Sequence, residues 1–191
     1  MTDAPGQGGL EAVAAAARKQ APGRGLPPVH LWNPAHCGEI DIRIAANGQW
    51  FHEGTPIGRE ALVRLFSTVL RKDPDGIHLV TPVEKLRIVV DDAPFVAVRV
   101  DAGKGDLTFT TNVGDIVEAG PDNPIRVETG ASAGEPRPYL HVRRGLEALI
   151  ARPVFYELAA MARERATPAG PMMGVISHGA WFALGPPGIG A

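Results

Sequence analysis

Between residues 77 and 128 the chain breaks into six strand-length runs, 77–81, 86–90, 95–101, 106–111, 115–119 and 125–128, each closed by a short polar or Gly/Pro turn. Runs this short are strands rather than helices, and connections this short return each one beside its predecessor, which predicts an antiparallel meander. Residues 137–143 alternate again, Gly145 turns the chain, and 146–150 returns.

The segment ahead of the meander carries mixed signals. Residues 9–20 read as a short helix with Leu10, Val13 and Ala17 on one face, stopped by the Gly/Pro stretch 22–28. In 39–46 Ile40, Ile42 and Ile44 face one way and Asp41 and Arg43 the other, a half-buried strand. Asn47-Gly48 predicts a tight type I′ hairpin returning through 49–53 with Trp50, whose indole is expected to pack on the following helix. Pro56 suits a first helical position, and Leu62, Leu65, Phe66 and Val69 give an amphipathic helix over 58–71, ended by Asp73-Pro74-Asp75-Gly76. Pro153 opens a second helix with Val154, Leu158, Met161 and Ala162 on one face. Gly48, Pro56, Ile57 and Glu60 recur at constant spacing as Gly145, Pro153, Val154 and Glu157. The expected fold is therefore α+β, with duplicated hairpin-plus-helix units and an antiparallel meander. Its divisions are 1–28 (a flexible helix and linker), 29–92 and 93–166 (two α+β repeats), and 167–191 (a Gly/Pro-rich extension with a short strand around Ser177-His178-Gly179).

The 23 glycines and 18 prolines among 191 residues concentrate in the tails, short of a low-complexity composition, and the 45% hydrophobic content supports a real core. Collagen, a disulfide scaffold, wholesale disorder and a sustained coiled coil are excluded. One cysteine, Cys37, and no visible secretory signal or spanning segment point to a cytoplasmic protein without membrane partners. With 19 basic against 21 acidic residues, no general nucleic-acid binding is expected.

Charged strand positions supply the candidate site. Arg137, Tyr139, His141 and Arg143 share a strand face, and two guanidiniums, an imidazole and a phenol suit a phosphate and a stacked base. The same four residues equally fit the wet face of an antiparallel strand. Thr81 and Lys85 lie at a Pro82 bend, Lys85 as an anion contact or half of an exposed ion pair with Glu84. Asn112, ahead of Val113-Gly114, is a turn residue or faces a ligand. His36-Cys37 lacks the further ligands zinc needs, and Gly103-Lys104-Gly105 and Gly6-Gln7-Gly8-Gly9 lack the context of phosphate loops. Asp73/Asp75 and Asp91/Asp92 read as solvated turn acids. No metal, cofactor or catalytic residue is expected.

Two sets of strings carry a family resemblance. The first is Cys-Gly-Glu-Ile-Asp-Ile at 37–42, Asn47-Gly48-Gln49-Trp50, Gly54-Thr55-Pro56-Ile57, Leu65-Phe66 and Leu79 to Lys85. The second is Thr111-Asn112, Pro138-Tyr139, Val142 to Ala148 and Arg152 to Tyr156. With these the chain resembles the bacterial family catalogued as domain of unknown function 1285, over roughly residues 29–185. The resemblance implies a duplicated α+β core, a second half loosely like a pleckstrin-homology fold, a nucleotide-type ligand site between the halves and a role in signal transduction. It brings no catalytic residues. The resulting expectation is a non-enzymatic sensor module for an anionic small ligand. The alternatives are an interaction adaptor with no small ligand, its protein partner unknown, and, third, an enzyme on phosphorylated substrates.

Overall fold

In the computed structural model residues 9–20, 25–129 and 135–188 are described. Most of the expected linker at 21–24 and of the Gly6–Gly9 loop lies outside them. The chain divides between Asp92 and Ala93 into two compact units, mixed α+β with three helices and fifteen strands among the described residues.

In the first unit, helix α1 (Leu10–Lys19) buries Val13, Ala14 and Ala17 and packs on α2 (Glu60–Thr68). The sheet has the order β3-β2-β1-β6-β5-β4. Its strands are β1 (His36–Ile44), β2 (Trp50–His52), β3 (Thr55–Pro56), β4 (Leu70–Asp73), β5 (Gly76–Val80) and β6 (Glu84–Val90). Trp50 is buried and stacks on Phe66 of α2, ring centroids 6.3 Å apart, which closes the core around Ile42, Ile44 and Leu79.

Three local expectations need correction here. Pro56 does not open α2. It sits in the edge strand β3 opposite Phe51, where a missing N–H costs nothing, and α2 begins at Glu60. The helix expected to reach 71 stops at Thr68, because the Ser67 and Thr68 hydroxyls donate back to the Arg64 and Leu65 carbonyls, and the chain then enters β4. Asn47-Gly48 does not form a two-residue turn. Ala45 bonds to Gln49 and Gly48 back to Ala45, with Gly48 alone at positive φ (82°), a longer turn closed by a left-handed glycine. The two-residue turns with both φ positive are Glu53-Gly54, Arg144-Gly145 and His178-Gly179.

In the second unit, β7 (Phe95–Ala102), β8 (Leu107–Thr111), β9 (Ile116–Glu118), β10 (Ile125–Thr129), β11 (Pro136–Arg143) and β12 (Leu146–Ile150) make a sheet of order β10-β11-β12-β7-β8-β9. Strands β9 and β10 are opposite edges, which a flat sheet of six would hold roughly 24 Å apart. Yet Gly120 and Asn123, between them, exchange both backbone hydrogen bonds at 3.1 Å, so the sheet curls until its edges approach. The hairpin β14 (Gly170–Ser177) and β15 (Ala180–Gly185), with β13 (Arg163–Thr167), forms a third sheet, and β15 packs against β10 and β11. The expected lone C-terminal strand is thus part of a three-stranded sheet. Helix α3 (Arg152–Met161) carries Pro153 in its first turn and buries Val154, Phe155 and Leu158, while Met161 faces out at its end.

The two six-stranded sheets share one topology. Numbered within its own unit, each runs 3-2-1-6-5-4, with the first and sixth strands parallel (β1 with β6, β7 with β12) and every other pair antiparallel. Duplication is therefore a property of the sheets. The residues that recur at constant spacing are not its equivalents: Gly48 turns the first strand into the second, whereas Gly145 turns the fifth into the sixth.

Candidate functional site

Strand β11 carries four of the seven candidates. Tyr139, opposite Arg126 of β10, is buried under that guanidinium, which lies 4.4 Å from its ring, and its hydroxyl accepts from Arg137 Nε at 3.1 Å. Arg126 also forks onto both oxygens of Glu147 at 2.6 Å and pairs with Glu128, contacts that raise its pKa further. His141 Nε2 accepts the Gly145 N–H at 3.0 Å, which leaves Nδ1 to donate to the Asp122 carbonyl at 3.0 Å, so the neutral Nδ1–H tautomer satisfies both bonds.

Beyond His141 the register of β11 slips against β12, and Arg143 ends the strand. Its guanidinium lies 4.8 Å over the Phe95 ring and donates to Asp115 at 2.8 Å, with 14% of the side chain exposed. Asp115 is positioned by Thr111, whose hydroxyl accepts the Asp115 N–H. Asn112, in the same turn, clamps the Val96 backbone: its N–H donates to the Val96 carbonyl and its Oδ1 accepts the Val96 N–H at 2.9 Å. Arg143 thus touches the Phe95 ring, and Asn112 holds the backbone of the next residue, Val96.

The remaining candidates belong to the first unit. Thr81 is buried and its hydroxyl caps the β5–β6 turn, accepting the Glu84 N–H at 3.2 Å. Lys85 does not pair with Glu84 in the described contacts; its ammonium reaches Asp73 at 3.1 Å. Asp73 is also gripped by both arms of Arg71, at 2.8 and 2.9 Å. The Arg71 fork, aided by Lys85, holds the Asp73 carboxyl below the usual range against the opposing effect of burial.

Sequence reasoning missed Arg71, Phe95, Asp115 and Arg126. Phe95, Asp115 and Arg126 meet partners on other strands, and no spacing within one segment reveals a cross-strand pair; Arg71 forks onto Asp73 two residues on, but its ties to the Val29 and Trp32 carbonyls are equally long-range. Among the described residues no nucleophile stands beside a base. The buried hydroxyl of Ser177 is spent on Leu107 N–H and the Ala119 carbonyl, and Cys37 is exposed. No helix among the described residues is long and apolar enough to cross a membrane.

Two family models match the chain, "Domain of unknown function (DUF1285), N-terminal domain" over residues 27–93 and "Protein of unknown function (DUF1285), C-terminal domain" over 94–184. Among solved structures, a DUF1285 family protein from Silicibacter pomeroyi DSS-3 is 51% identical, with 92% of this chain and 95% of that chain covered and a TM-score of 0.82. A DUF1285 family protein from Shewanella baltica OS155 is 27% identical over 61% of this chain and 87% of that one, with a TM-score of 0.49. Among curated proteins, none matches this chain.

Proposed function

Because the chain belongs to the DUF1285 family, whose function is unknown, we infer its role from chemistry: a non-catalytic sensor module that binds an anionic, nucleotide-type ligand at Arg143 and acts in signal transduction. The observation that carries this reading is the Arg143–Asp115 pair over Phe95. A guanidinium already desolvated, oriented by a ring and paired with a nearby carboxylate is prepared to exchange that carboxylate for a phosphate. Asn112, fixing the adjacent backbone, keeps the ring in place.

The alternative, an interaction module with no small ligand, is favoured by the internal pairing of Arg137, Tyr139 and His141. One experiment separates the two. Thermal shift is measured against a panel of nucleotides and phosphorylated metabolites for the unaltered chain, Asp115→Asn and Arg143→Gln. Ligand binding requires a rise in melting temperature that grows in Asp115→Asn, where the competing carboxylate is gone, and disappears in Arg143→Gln. No shift with any compound at millimolar concentration rejects the ligand and leaves the adaptor reading.

A further inference from the structure

Among the described residues, all but one of the sheet edges are short, covered or drawn together. In the first sheet β3 is two residues long and ends in Pro56, and residues 29–31 lie against β4, tied there by Arg71. In the second, β9 and β10 approach across the Gly120–Asn123 turn, and β15 of the third packs on β10 and β11. The remaining edge is β13, which is bonded to β14 alone, with Arg163, Glu164, Arg165 and Ala166 all exposed. Alternate residues of such a strand turn their N–H and C=O groups away from the sheet, free to bond to another chain.

The charges on this edge are ordered. Arg163 and Arg165 point to one face, opposite Gly174 and Met172, and Glu164 points to the other, opposite Met173. Among the described residues none of the three makes an ion pair. Arg165 lies 5.4 Å from the Trp181 ring, which orders its long side chain before any partner arrives. A strand added beside β13 sets its side chains opposite these three on the same faces. The matching sequence therefore reads acid, base, acid, and it reads the same in either direction.

A second copy of the chain is a poor occupant. Two copies related by a two-fold axis pair antiparallel about a single residue, because the rotation keeps each face. Centred on Glu164, that register sets Glu164 against its own equivalent and Arg163 against Arg165 of the second copy. Centred on Arg163 or Arg165, it sets guanidinium against guanidinium, and centred on Ala166 it gains no ion pair. Like charges directly opposite destabilise a strand pair, so the edge repels its own kind while matching a foreign strand.

We propose that β13 accepts a strand from another protein. An extended segment reading acid, base, acid adds to this edge through main-chain hydrogen bonds, its acids opposite Arg163 and Arg165 and its base opposite Glu164.

The probe is a cyclised β-hairpin peptide whose free strand reads Val-Glu-Lys-Glu-Val, titrated into the full chain and followed by ¹⁵N NMR. Shifts and slowed amide exchange centred on residues 163–167 are expected. Affinity should fall about tenfold or more in Arg163→Glu/Glu164→Lys/Arg165→Glu, and that variant should instead bind the peptide reading Val-Lys-Glu-Lys-Val. All three side chains are exposed, so the rest of the variant's spectrum should overlay that of the unaltered chain. No shift at millimolar peptide overturns the proposal and leaves a charged edge that only repels. Equal binding of the two peptides overturns it as well. So does a dimer that moves the β13 amides without peptide, or a response to anionic lipid vesicles alone. Arg143 stands on a different sheet, so none of these outcomes bears on its reading.

Discussion

The hydroxyl of Ser177 donates to the carbonyl of Ala119 at 2.6 Å, and both lie out of contact with solvent. Its oxygen accepts the Leu107 N–H at 2.8 Å, so one side chain on the β14–β15 hairpin satisfies two backbone groups beside the seam of the curled sheet. Ser177→Ala would leave both without a partner in a dry place. We expect a loss of about 1–3 kcal/mol in urea unfolding, with β9 and β15 amides exchanging first. Unchanged stability would mean the seam is held by packing alone.

Gly174 admits no side chain. A Cβ there would lie 2.5 Å from the Phe182 carbonyl and 2.5 Å from the Trp181 indole. The indole is also covered by Arg165, 5.4 Å from its ring. Gly174→Ala therefore forces the β14–β15 ladder apart, at a cost of about 1–3 kcal/mol, and should alter near-ultraviolet circular dichroism. A melting temperature equal to that of the unaltered chain would contradict the close approach.

Arg71 ties a remote segment to the first sheet. Besides forking onto Asp73, its Nη1 donates to the carbonyls of Val29 and Trp32 at 3.0 and 2.7 Å. Arg71→Met should destabilise by about 1.5–3 kcal/mol and speed proteolysis within residues 25–34, readable by mass spectrometry of limited digests. If cleavage there does not quicken, the segment is held by its buried Val29 rather than by the guanidinium.

Asp73 gives stability a definite pH dependence. Its pKa is lowered in the folded chain, by the Arg71 fork first and Lys85 after it. The folded state therefore holds this carboxylate more tightly ionised than the unfolded chain does. The stabilisation is fully present above the unfolded value, near pH 4, and is lost as pH falls through the lower folded value. Asp73→Asn should be less stable than the unaltered chain at neutral pH, with the gap narrowing below about pH 4. A gap independent of pH would assign the loss to packing.

Much of the secondary structure was legible because it is written locally. Alternation at Ile42 and Ile44, the Asp73–Gly76 turn and Pro153 at a helix start each depend on a few adjacent residues, and each element formed where those residues lie. Tertiary pairing overrode the local signal at other positions. Pro56 was equally suited to a helix start and a sheet edge, and the choice fell to Phe51 across the hairpin. The recurrence of Gly48 as Gly145 matched residue types without matching places in the topology. Of the candidate site, the strand carrying Arg143 was recoverable from its alternation. Asp115 and Phe95, which give Arg143 its character, were not.

By itself the sequence determined short strands, hairpin turns, three helices and the burial of their apolar faces, since propensity and periodicity act within a few residues. Only the tertiary structure decided that β1 runs parallel beside β6 and β7 beside β12, producing the same strand order twice. It also decided which charges meet: Arg143 with Asp115, Lys85 with Asp73, and His78 beside both hairpin carboxylates. The physical reason is common to both. Strand pairing and charge pairing join residues distant in the chain, and their register is set by how the strands of each unit pack on its own core, not by any segment read alone.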